Sequence, residues 1–193
     1  MRTLIELTGP RRTGKTQLAQ ELACRNYWTF VEENSFPRES RYSPNNPNEA
    51  LLYLSNFLSY QFDQLKHYSG QSEDITVITD FSLRDLQIYA LLNLEDNQQR
   101  EKYLEDVDKN HLRLKWELFD QVERFYTRPR DFNMDIQKYQ GLEHQLFEER
   151  EPFGESIVLP SSFRDKISWI ESYVRSRKTN SSKEIPLPTS IKF

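Results

Sequence analysis

The chain has 193 residues, a formal net charge of -4 and one cysteine, Cys24. Its length suits a single compact domain, and 36% hydrophobic against 29% charged residues excludes a disordered polar chain. One cysteine excludes an intramolecular disulfide and a cysteine-built metal site, and the acidic balance argues against a dominant nucleic-acid surface. No run approaches the ~20 apolar residues that cross a bilayer, and the opening MRTLIELTGP lacks the apolar core of a signal peptide.

In chain order, TLIELT (3–8) reads as a short buried strand that ends at Gly9-Pro10, a sharp turn. Leu18, Ala19, Leu22 and Ala23 recur at helical spacing, so a helix starts close to Lys15. YWTFV (27–31) predicts a second strand, and the Pro-, Ser- and Asn-rich stretch 35–48 predicts a long surface loop. Helical spacing returns over 49–67, with Leu51, Leu54, Leu58, Phe62 and Leu65 on one face. ITVIT (75–79) is the clearest strand, and helices follow over about 83–94 and 97–116. Residues 117–132 fit a helix or a strand equally well by periodicity. A helix at 136–150, a closing strand at SIVLP (156–160) and an amphipathic helix at 163–175 complete a domain of residues 1–175, with 176–193 as a flexible tail. Strands alternating with helices predict a parallel sheet covered on both faces. His67, His111 and His144 have no metal-ligand spacing and are expected on the surface.

The strong motif is Gly9-Pro10-Arg11-Arg12-Thr13-Gly14-Lys15-Thr16, a full match to the Walker A pattern GxxxxGK[ST], with a strand before it and a helix after it. Gly9 permits the tight departure from the strand, and Gly14 lets backbone approach a phosphate. The amides of Arg12, Thr13, Gly14, Lys15, Thr16 and Gln17 then point at phosphate oxygens, aided by the positive end of the helix. Lys15 offers a point charge to the outer phosphates of ATP, and the Thr16 hydroxyl a ligand to Mg²⁺. A second acidic position belongs at the end of a neighbouring strand, and Asp80 directly follows ITVIT. Glu32 and Glu33 end the second strand, at the edge where open α/β sheets place ligands, so a carboxylate there can take a proton from an acceptor hydroxyl.

With these residues the chain resembles the small P-loop kinases: deoxyribonucleoside kinases, thymidylate kinases and the nicotinamide-riboside-kinase-type ATPase domain. The resemblance covers most of residues 3–175 and implies a three-layer α/β P-loop NTPase fold, a parallel sheet of about five strands flanked by helices. In nucleoside kinases the second strand ends in a glutamate that acts as base, and Glu33 occupies the matching place, with Glu32 beside it. The third strand there ends in an acidic residue, then Arg and Ser, then an Asp. Asp80, Ser82 and Asp85 match, Phe81 stands where arginine is usual, and Arg84 is taken in its stead. The helix before that strand lines the nucleoside pocket, which assigns Tyr60 and Gln61 to the substrate, with Tyr53, Phe57 and Gln64 nearby. Lid arginines neutralise the transferring phosphoryl group in these kinases. Arg124, Arg128 and Arg130 are the choices, with Arg128 taken as catalytic. In the nicotinamide-riboside-kinase-type reading, Asp131 or Asp135 meets a ribose.

The expected function is ATP- and Mg²⁺-dependent phosphate transfer to a nucleoside, nucleoside monophosphate or nicotinamide-riboside-like acceptor. The alternative is a P-loop NTPase that hydrolyses ATP to drive a partner protein; no NKxD run for GTP selection occurs. The expected partner is a small phosphate acceptor, not a membrane or nucleic acid, with a homodimer as the assembly to test. A lone cysteine suits a reducing compartment, so the expected location is cytoplasmic.

Overall fold

The computed structural model describes residues 1–10, 13–33, 47–127, 141–142 and 156–180. RTLIELT forms the central strand, β1 (Arg2–Thr8), and ITVIT forms its neighbour β3 (Ile75–Thr79), each buried on both faces. β2 (Thr29–Val31), β4 (Gln121–Tyr126) and β5 (Ile157–Val158) complete a five-stranded sheet in the order β2-β3-β1-β4-β5, with every pairing parallel. Parallel neighbours demand crossover helices, which explains why β1 and β3 carry continuous apolar runs.

Side chains alternate across β1, so Leu4 faces one layer while Ile5 and Leu7 face the other. On Leu4's side lie α2 (Pro47–Ser69), α3 (Leu83–Asn93) and α4 (Asn97–Arg113), which bury Leu54, Phe57, Phe62, Leu65, Leu86 and Val107. On the other side α1 (Lys15–Asn26) and α5 (Phe163–Asn180) bury Leu18, Leu22, Ile167, Ile170 and Val174. The expected three-layer α/β architecture is therefore present.

Local departures have physical reasons. β2 begins at Thr29, two residues later than expected, because Tyr27 takes a left-handed φ of 56° and caps α1. Of the ambiguous stretch, the described residues 117–127 end a π-helical turn (Leu114–Leu118) and then form β4, whose register on β1 runs from Thr3↔Gln121 to Thr8↔Tyr126; residues 128–132 lie outside the described residues. The free edge of β1 decides this, a long-range effect that local periodicity does not carry. α5 continues to Asn180, past residue 175, with Arg177 over the Tyr173 ring and Lys178 reaching Asp74 at 3.6 Å. Of the helix expected over 136–150, residues 141 and 142 are helical and the remainder lies outside the described residues, as does His144.

A buried polar layer runs between the sheet and the α2–α4 side. Glu6 Oε2 accepts from Arg124 Nη2 at 2.8 Å and Nε at 3.2 Å, and Glu6 Oε1 receives the Leu83 amide at 3.4 Å. Arg124 is therefore committed to an ion pair across β1 and β4, and it is not one of the lid arginines expected from sequence.

His111 lies in the same layer, 3% exposed, contrary to the surface position expected for it. Its spacing from Leu104, Val107 and Leu114 puts it on the buried stripe of α4. Burial first, then the positive charges of Arg124 and Lys115, push its pKa down to about 3. The unfolded chain takes up that proton near the ordinary histidine pKa of 6.5, so His111 costs stability as pH falls from 6.5 toward 3 and costs none above 6.5. At pH 5 the loss is on the order of 2 kcal/mol. His111→Gln should flatten the fall of Tm between pH 7 and 5 relative to the parent; an identical fall in both proteins contradicts the assignment.

Candidate functional site

The site forms at the carboxyl ends of β1, β2, β3 and β4. After β1 the chain turns at Gly9 (φ 131°) and re-enters helix at Gly14 (φ 82°), both backbone conformations that favour glycine. A side chain at Gly9 would also meet the Thr127 carbonyl at 2.6 Å. Lys15, 9% exposed, curls back so that Nζ donates to the Gly9 carbonyl at 2.7 Å and the Pro10 carbonyl at 2.9 Å. Its charge is thereby held within the curve of the loop. Thr13 Oγ1 lies 3.0 Å from the Pro10 carbonyl and 2.7 Å from Thr127 Oγ1, and its one proton serves one of them at a time.

Thr16 opens α1 and its hydroxyl donates to Asp80 Oδ2 at 2.6 Å. The other oxygen of Asp80 accepts the backbone amide of Glu33 at 2.7 Å. One carboxylate thus joins the phosphate loop, the end of β3 and the end of β2. Glu32 and Glu33 are both half-buried just beyond β2.

The turn after β3 is built from short-range hydrogen bonds. Thr79 Oγ1 donates to the Phe81 carbonyl at 2.6 Å. Ser82 caps α3 in a reciprocal capping box with Asp85. Asp85 Oδ2 accepts the Ser82 amide at 2.8 Å, and Oδ1 accepts the Thr8 hydroxyl at 2.9 Å. Both oxygens of Asp85 therefore brace the turn that carries Asp80. Arg84 is buried in the first turn of α3.

On α2, Tyr53 stacks on Phe57 with centroids 6.0 Å apart, and Phe57 meets Phe81, the residue after Asp80, at 6.1 Å. Gln61 lies one turn beyond Phe57, is fully buried, and has no hydrogen-bond partner on either amide atom among the described residues. Tyr60 and Gln64 are half-buried and Gln17 is exposed. Arg12, Arg128, Arg130, Asp131 and Asp135 lie outside the described residues.

Lys15, Thr16, Asp80 and Glu33 are therefore brought together. Sequence reasoning missed Ser82 as a cap, although Ser-x-x-Asp is a legible capping box, and it missed Thr127, which no local pattern marks.

No protein-family model matches the chain, and no curated protein matches it by sequence. Solved structures do match. Deoxyadenosine kinase from M. mycoides, with dCMP and dCDP bound, aligns over 91% of this chain and 100% of its own, with 14% identity and a TM-score of 0.62. NadR protein in complex with NAD and AMP-PNP aligns over 89% of this chain, with 16% identity and a TM-score of 0.65; the chain spans 49% of NadR's length. Thymidylate kinase from Candida albicans aligns over 91% of this chain and 92% of its own, with 14% identity and a TM-score of 0.56. The chain has the fold of the P-loop kinases. Among the described residues no helix is long and apolar enough to cross a membrane.

Proposed function

We propose that the chain is an ATP-dependent phosphotransferase whose acceptor is a nucleoside, a nucleoside monophosphate or a nicotinamide-riboside-like molecule. The observation that carries the reading is Asp80, which bonds Thr16 on the phosphate loop and Glu33 at the end of β2 with its two oxygens. It sets the nucleotide side and the acceptor side of a transfer reaction against each other across one carboxylate. The neighbours in fold are a deoxyadenosine kinase with dCMP and dCDP bound, NadR in complex with NAD and AMP-PNP, and a thymidylate kinase, so a nucleotide on the loop and a nucleoside-like acceptor agree with them.

Mg²⁺ suits the residues present. A hydroxyl and a carboxylate oxygen 2.6 Å apart are hard oxygen donors, and among the described residues no cluster of three His, Cys, Asp or Glu forms a free-standing site. Two protein donors are what Mg²⁺ requires when it arrives with phosphates and water. Thr16 and Asp80 would hold it, and when bound it supplies charge neutralisation on the phosphates.

In the reaction, loop amides hold the phosphates and Lys15 exchanges its carbonyl partners Gly9 and Pro10 for phosphate oxygens. Where the acceptor is a hydroxyl, as in a nucleoside or a riboside, Glu33 accepts its proton as the oxygen attacks the γ-phosphorus and the bond to ADP breaks. Arg128 stabilises charge on the transferring group, a role that rests on its position in the sequence after β4.

The acceptor lies against α2. Gln61 keeps a donor and an acceptor together in a buried place on α2, the pattern a base edge requires. Gln61→Met should therefore lower kcat/KM for the acceptor at least about tenfold while the far-ultraviolet spectrum stays parent-like. A folded variant that transfers phosphate normally contradicts the assignment. The acceptor class itself is tested by a γ-phosphate transfer screen over nucleosides, nucleoside monophosphates and nicotinamide riboside. Transfer to none of them, with steady phosphate release, favours a hydrolase.

A further inference from the structure

Thr127 stands just after β4, fully buried, and touches both limbs of the phosphate loop. Its amide and its hydroxyl both donate to the Thr8 carbonyl, at 2.9 Å and 3.0 Å, where the loop begins. Its hydroxyl also lies 2.7 Å from the hydroxyl of Thr13, where the loop ends, and, with its own proton on Thr8, accepts the Thr13 proton there. Gly9 packs directly on it, since a Cβ there would approach its carbonyl to 2.6 Å and its Oγ1 to 2.9 Å. A single side chain from a distant strand therefore closes the base of the loop.

The loop's amides bind an anion well only if they already converge, since rearranging them on binding costs affinity. Lys15 Nζ donates to the Pro10 carbonyl at 2.9 Å and Thr13 Oγ1 lies 3.0 Å from the same oxygen, so the loop end that Thr127 holds also carries the lysine's resting contact. We infer that Thr127 is a positioning residue for the nucleotide: through its hydroxyl it fixes Thr13 against Thr8 and so presents the loop amides to the phosphates. It touches no substrate. The inference rests on the phosphate-binding reading of the loop and adds a residue from outside the Walker A stretch that sets its affinity.

Valine at this position is a clean deletion of the hydroxyl. The Thr127 amide still bonds Thr8, and the Thr13 proton turns to the Pro10 carbonyl 3.0 Å away, so neither partner is left buried and unsatisfied. ATP binding is measured by calorimetry on the full chain, with Tm and the separate kcat and KM values, for Thr127→Val, Thr127→Ser, Thr13→Val, the Thr13/Thr127 double valine variant and Lys15→Ala. The expected result is an ATP affinity about tenfold weaker in Thr127→Val, with kcat changed less than about twofold and recovery in Thr127→Ser. Thr13→Val should give a similar loss, and the double variant no more than either single one, because both remove one contact. Thr13→Val reads that contact from the loop side if Thr127→Val fails to fold. Parent-like ATP binding in Thr127→Val, with binding lost in Lys15→Ala, overturns the inference and spares the phosphate loop. A loss of affinity that follows Tm and is not recovered by serine also overturns it. If Lys15→Ala binds ATP normally, the phosphate-loop reading itself fails, and this inference with it.

Discussion

Lys15→Ala should lower phosphate transfer by about 10²–10³-fold, the usual cost of removing one preorganised charge or donor from a developing anion. The lysine is the one cation on the described part of the loop, and its ammonium sits between the Gly9 and Pro10 carbonyls at the mouth of the curve. Alanine there favours helix and keeps the start of α1, so the far-ultraviolet spectrum should stay parent-like while turnover collapses. Lys15→Arg should not rescue, since a planar fork does not replace a compact ammonium within a loop this tight. Near-parent turnover in Lys15→Ala would remove the phosphate loop from the chemistry.

Glu33→Gln should lower kcat by about 10²–10⁴-fold while ATP affinity changes little, because a general base is lost and the nucleotide side is intact. The reason for that separation is structural. It is the backbone amide of Glu33, not its side chain, that bonds Asp80 at 2.7 Å. Glutamine keeps that amide, so Asp80 stays aimed at Thr16. Glu32→Gln is the register control, being half-buried one residue earlier. If Glu32→Gln collapses turnover and Glu33→Gln does not, the base is displaced by one residue. If both leave kcat unchanged, no carboxylate at the end of β2 takes the proton.

The phosphate loop was legible because its chemistry is local. Gly9, Gly14, Lys15 and Thr16 fall within eight consecutive positions, and the flanking strand and helix announce themselves by apolar spacing. Asp80 was legible for the same reason, standing at the end of the clearest strand. β4 was not, because Val122 and Phe125 stand at helical spacing while DQVERFYT also reads as a strand, and pairing with β1 settles the matter from more than a hundred residues away. Thr127 shares that obscurity: its partners Thr8 and Thr13 are 119 and 114 residues distant, and a threonine before Arg128 carries no local signal. His111 is a different case. Its place on the stripe of Leu104, Val107 and Leu114 was present in the sequence, but the charged surroundings of α4 obscured it. Asp85, expected to meet substrate, has both oxygens engaged by Thr8 and Ser82, and the serine-to-aspartate spacing foretells half of that arrangement.

The fate of the γ-phosphate decides between a transferase and a hydrolase. With γ-labelled ATP, Mg²⁺ and an acceptor mixture of nucleosides, nucleoside monophosphates and nicotinamide riboside, the label should pass to an acceptor, one molecule for each ADP formed. Without acceptor, ADP formation should fall to a small residual rate. Label released as inorganic phosphate at a rate indifferent to every acceptor would contradict phosphate transfer.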